Sequence, residues 1–61
     1  MYRIKEVREV CGMSQKDLAL AVGVSRPFLC DLEHNRRGAK PETMTKIATA
    51  LGVSVTDLEV A

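Results

Sequence analysis

Apolar residues in this chain return at intervals of three and four and never alternate over the length of a strand. Ile4, Val7 and Cys11 fall on one face of a first helix, expected over about residues 2–11 and stopped by Gly12. Leu18, Ala19, Ala21 and Val22 give a second helix over 15–22, and Leu29 and Leu32 a third over 26–34. Met44, Ile47, Ala48 and Leu51 form the buried stripe of a fourth over 41–51, closed by Gly52. Val53 then returns the chain to the core and a last short helix follows over 55–59. The expected fold is all-α, five short helices in a single domain spanning residues 1–61.

The residues between the stripes support these bounds. Ser14, Ser25 and Ser54 each stand just before a helix, where a hydroxyl accepts an amide N–H that has no intrahelical partner. Asp17 and Asp57 follow two of them in the first turn, the end of the helix dipole that favours an acid. Pro27 and Pro41 also lie in first turns, where a missing N–H costs little. Gly23 is free to take positive φ between the second and third helices, and Asn35 is expected to end the third in the left-handed conformation. From Ser14 to Asn35 the chain thus has the outline of a helix-turn-helix.

Two charges interrupt the apolar stripes. Arg8 lies within the inward face of the first helix, and Glu33 sits on the inward edge of the third beside Leu29. A charge taken out of water needs a partner. An ion pair between them, tying the first helix to the third, is therefore predicted; the alternative is that both reach outward to solvent.

With 61 residues the chain buries only a small core, and a 46% hydrophobic, 3% aromatic composition makes that core aliphatic. Cys11 and Cys30 are too few for a disulfide framework and read as free thiols of a reducing cytoplasm, Cys11 buried. No apolar run approaches the ~20 residues of a membrane span. The opening MYRIKEVREV also lacks a signal-peptide core. The expectation is a soluble, complete, cytoplasmic and nucleoid-associated protein with no membrane partner. The net charge of +1 hides an asymmetry: residues 1–40 carry eight basic and five acidic side chains (+3), residues 41–61 one and three (−2). An anionic partner on the first two-thirds of the chain fits that distribution.

On the third helix, Pro27, Cys30, Asp31 and His34 point away from the leucines, with Arg26 and Phe28 at their flanks. Arg26 is in the first turn, where a helix entering the major groove meets base edges and an arginine can pair with guanine O6 and N7. Phe28 either touches a thymine methyl or sugar, or packs at the rim of the second and third helices. Asp31 either accepts from cytosine N4, holds Arg26, or stays a solvated acid. Gln15 at an amide-rich helix start, Lys16 beside it, the loop cations Arg36, Arg37 and Lys40, and Thr43 in the fourth helix are suited to phosphate. Cys30 and His34 are one helical turn apart, but two ligands are too few for a metal site, and neither metal, cofactor nor enzymatic activity is expected.

Arg8, SQKDLA, GVSRPFLCDLE, Pro41 and IATALGVSVTDL, in that order, closely resemble the lambda-repressor/Cro (XRE) type of helix-turn-helix domain. The resemblance covers about Ile4 to Leu58 and implies a five-helix domain that binds double-stranded DNA operators, usually as a dimer on two-fold-related half-sites. By position it places Arg26, Pro27, Phe28 and Asp31 toward bases, and Gln15, Asn35, Arg36 and Thr43 at or near the DNA backbone. It also makes Arg8 and Glu33 the family's interhelical ion pair. Two departures stand out: asparagine at 35, where the family often has glycine, and a loop from Glu33 to Pro41 that is longer than the family's shortest version.

The leading functional expectation is a sequence-specific transcriptional regulator, a repressor acting through the major groove. The alternative is a protein-interaction module such as an antitoxin or accessory subunit with a regulatory protein partner. A homodimer is expected through Val55, Leu58 and Val60, which exceed what a short last helix buries; otherwise Val55 and Leu58 complete the monomer core.

Overall fold

The computed structural model describes residues 2–59. Its helices are α1 (Ile4–Val10), α2 (Gln15–Val22), α3 (Arg26–Glu33), α4 (Pro41–Leu51) and α5 (Val55–Leu58), each bound within two residues of expectation. The largest difference lies at the start. Tyr2 forms an isolated antiparallel bridge with Glu59, and the Arg3 N–H donates to the Leu58 carbonyl at 2.8 Å. Extended pairing with the end of α5 therefore replaces the first turn expected of α1.

Ile4, Leu18, Leu29, Leu32, Met44, Ile47 and Leu58 are fully buried, joined by Ala19, Val22, Ala48 and Leu51. Removing one such large aliphatic side chain from water stabilises the fold by about 1.5–3 kcal/mol. The two aromatics, Tyr2 and Phe28, pack against this core from its edge rather than filling it. Helix α2 packs on α3 and α4, α1 on α3, and α5 on α4.

Helix α2 buries Leu18, Ala19 and Val22. Two expectations change here. Cys11 is exposed rather than buried, because α1 ends before it and its thiol only reaches back to donate to the Leu51 carbonyl at 3.4 Å. Leu58 is fully buried and Val55 half-buried against the core, so the surface expected to receive a second copy is used within the monomer. Val60, the third residue of that surface, lies outside the described residues.

The two-helix unit is built as its punctuation suggests. The Ser14 hydroxyl accepts the Asp17 N–H at 3.0 Å, and the Ser25 hydroxyl accepts the Phe28 N–H at 3.2 Å. Between them Gly23 has φ +82°, a conformation that strains any residue with a Cβ, and lets the Val24 N–H reach the Ala19 carbonyl at 3.0 Å. The full reciprocal box occurs on α5: the Ser54 hydroxyl accepts from the Asp57 N–H at 3.2 Å and the Asp57 carboxylate from the Ser54 N–H at 3.1 Å. The Ser54 N–H first, and then the Ser54 side chain, hold the Asp57 carboxyl below its ordinary range.

Candidate nucleic-acid interface

Helix α3 is fixed from beneath by Leu29, Leu32 and the carboxylate of Glu33, whose side chain is 1% exposed. Arg8 donates to Glu33 through Nε at 2.6 Å and Nη2 at 3.3 Å, so the predicted ion pair is a two-pronged brace between α1 and α3. The remaining Nη1 donates to the Met13 carbonyl at 2.9 Å. The hydrogen bond to Glu33 raises the Arg8 pKa above its ordinary value despite the opposing effect of burial, so the guanidinium stays charged at any pH at which the protein folds.

Gln15 is the third arm of this brace. Its Nε2 donates to Glu33 Oε1 at 3.1 Å, which turns the side chain inward from the phosphate role expected of it. Nothing in the sequence position of Gln15, which opens α2 directly after the cap, names Glu33 as its partner. Among the described residues no buried side-chain polar atom is left without a partner.

On the outer face Arg26, Pro27 and His34 are exposed, and Cys30 and Asp31 are half-buried. Phe28 is half-buried at the core's edge, and the guanidinium of Arg37 lies 4.2 Å above its ring centre. The rim-packing alternative thus describes Phe28, which also serves as a platform for a loop cation. Asp31 does not hold Arg26; its carboxylate lies 3.6 Å from Arg36. Both acids of α3 are therefore matched by an arginine, and Arg26 is left free to bind outward. His34 Nδ1 contacts the Cys30 carbonyl at 2.8 Å and the thiol at 3.6 Å. No group of three or more metal-ligating side chains occurs among the described residues.

Beyond His34, Asn35 takes φ +55°. Its N–H bonds the Leu32 carbonyl at 3.1 Å and the next N–H, of Arg36, bonds the Asp31 carbonyl at 2.8 Å, closing α3 in a Schellman turn. The Asn35 side chain, expected near phosphate, is spent elsewhere: Oδ1 accepts the Tyr2 N–H at 3.0 Å and Nδ2 donates to the Tyr2 carbonyl at 3.3 Å. Neither the Tyr2 clasp nor the Arg37–Phe28 stack has a periodic signature in the sequence. Arg36, Arg37 and Lys40 follow, all exposed, and Thr43 is half-buried in the first turn of α4. Arg37, Lys40 and Thr43 line one open cleft with Val24 and Phe28. Lys16 is exposed at the start of α2. An arginine at the head of an open helix, with cations on the helix before it and the loop after it, is a surface for a grooved polyanion.

A family model described as helix-turn-helix matches residues 4–58. The HTH-type transcriptional regulator DdrOP3 of Deinococcus deserti is 39% identical over 56 residues, covering 92% of this chain but only 43% of that protein. The chain thus spans less than half the length of that relative. The restriction-modification controller protein C.AhdI of Aeromonas hydrophila superposes with a TM-score of 0.88 at 32% identity, over 93% of this chain and 86% of its own. SinR of Bacillus subtilis, the master regulator for biofilm formation, solved in complex with DNA, gives 0.82 at 33% identity, over 88% and 87%.

Proposed function

The chain belongs to the Cro/lambda-repressor-like helix-turn-helix family, and from that premise we propose that it is a sequence-specific DNA-binding transcriptional regulator, a repressor, working on the nucleoid in the cytoplasm. The observation that carries this reading is the free guanidinium of Arg26 at the head of a braced α3, with exposed Lys16, Arg36, Arg37 and Lys40 around it. The start of α3 enters the major groove, and Arg26 donates two bonds to guanine O6 and N7. Pro27 presents an apolar surface to the neighbouring base, and Asp31, neutralised by Arg36, disfavours wrong bases. The cations engage phosphate, assisted by the free amides at the starts of α2 and α4.

One such domain covers one half-site, so useful affinity calls for two copies on a two-fold-related operator. Gel mobility shift on duplex DNA at two salt concentrations tests the reading. Binding that weakens steeply as salt rises, with a preference among sequences, supports it; absence of binding at low salt refutes it.

A second reading, a surface for a regulatory protein, is favoured by two large apolar side chains left in solvent, Val10 at 88% and Leu20 at 72% exposed. Loss of association on Val10→Ser or Leu20→Ser, with DNA binding intact, is the expected signature of that role.

A further inference from the structure

The clasp between Asn35 and Tyr2 has no part in the packing of α3, whose end is already closed by main-chain bonds. A glycine would accept φ +55° at least as readily as asparagine. What the asparagine adds is a side-chain amide that bonds both the N–H and the carbonyl of Tyr2, as a neighbouring strand would. Tyr2 is in turn bridged to Glu59, and Arg3 is fixed twice, its N–H to the Leu58 carbonyl at 2.8 Å and its Nε to the Asp57 carbonyl at 2.9 Å. The residue that launches the basic loop is therefore bolted to the beginning of the chain and, through it, to the end of α5.

Beyond the Arg36 N–H bond to the Asp31 carbonyl and Ala39 against the core, the segment between them has little else to fix it. The Arg36–Asp31 contact is 3.6 Å long between side chains 61% and 40% exposed, a class of ion pair that adds little order. Gly38 has no side chain and stands in open space. Arg37, itself exposed, rests on the Phe28 ring.

We propose that Asn35 is a positioning residue for DNA binding: its clasp on the Tyr2 main chain holds the Arg36–Arg37 segment ordered beside α3 before DNA arrives. This rests on the DNA-binding reading above. Ordering the loop in the free protein removes the entropy loss from the binding step, and the benefit is read as affinity and as phosphate contacts.

Asn35→Gly is the informative variant, since it keeps the turn and deletes only the clasp; Tyr2→Ala keeps the main-chain partner and serves as control. In the free protein, backbone 15N order parameters at Arg36, Arg37 and Gly38 fall in Asn35→Gly and not in Tyr2→Ala, while those at Leu29 and Leu32 stay unchanged. On a duplex that binds the wild type, Asn35→Gly binds about fivefold more weakly, the worth of one or two exposed hydrogen bonds. Its plot of log affinity against log salt becomes shallower by about one phosphate contact. Unchanged order parameters, or reduced thermal stability with affinity and salt slope intact, overturn the proposal. If the wild type fails to bind DNA at low salt, the DNA reading fails and the positioning role falls with it, whereas the order parameters still report whether the clasp fixes the loop.

Discussion

Glu33 gives up nearly all its hydration to stand beside Leu29, and three hydrogen bonds from Arg8 and Gln15 replace it. Removing Arg8 leaves a buried carboxylate without its counter-charge, so Arg8→Ala is expected to lower stability by about 3–5 kcal/mol in urea unfolding. The double variant Arg8→Met/Glu33→Leu is expected to recover most of that loss. Indistinguishable curves for wild type and Arg8→Ala would contradict the brace. The pair was legible in the sequence because helical periodicity fixes which face a residue occupies. The bond from Gln15 to Glu33 is not legible in the same way, because periodicity gives a direction and not the neighbour across an interface, and an amide serves phosphate and carboxylate equally well. Asp57 offers a pH test. Its carboxyl is held below the ordinary value, so its contribution is complete above the unfolded carboxylate pKa of about 4 and disappears as pH falls through the lower folded value. Thermal melts of wild type and Asp57→Asn are therefore expected to differ at neutral pH and converge in acid.

At the scale of the element, capping chemistry explains why the bounds of α2 and α3 could be read so closely. The serine hydroxyls, the first-turn proline of α3 and the left-handed residues Gly23 and Asn35 each act within four residues of the helix end they set, so their effect is local and visible in sequence. Gly23→Ala meets no steric obstacle and pays only for φ +82°; a loss of about 1–2 kcal/mol is expected in chemical unfolding. The face of α3 is legible in outline, and two contacts on it are not. Phe28 and Asp31, which face outward or toward the rim by periodicity, are also engaged by loop arginines, because the loop folds back over α3 and no spacing rule announces that. The DNA roles then separate by element. Lys40→Ala is expected to weaken binding to all duplexes alike and to make the salt slope shallower by about one, as a phosphate contact does.

Across the whole molecule, the aliphatic core and the all-helical class followed from composition and periodicity, whereas the join between Tyr2 and Glu59 did not. A single bridge between residues at opposite ends of the chain leaves no repeating pattern, and it is this join that reaches Asn35. The last helix also turned out to need Leu58 for the monomer core. If two copies read one operator, sedimentation over a concentration series on DNA carrying paired half-sites is expected to show two chains per duplex, and one chain at all concentrations would rule this out.

The most direct measurement is equilibrium binding to a duplex selected from random sequence, followed over a salt series with wild type and Arg26→Ala. If α3 reads bases through Arg26, the wild type prefers the selected duplex, and Arg26→Ala loses about 1–3 kcal/mol of that discrimination while still binding DNA in a salt-dependent way. Selection that yields no preferred sequence, or an Arg26→Ala protein as discriminating as the wild type, would contradict it.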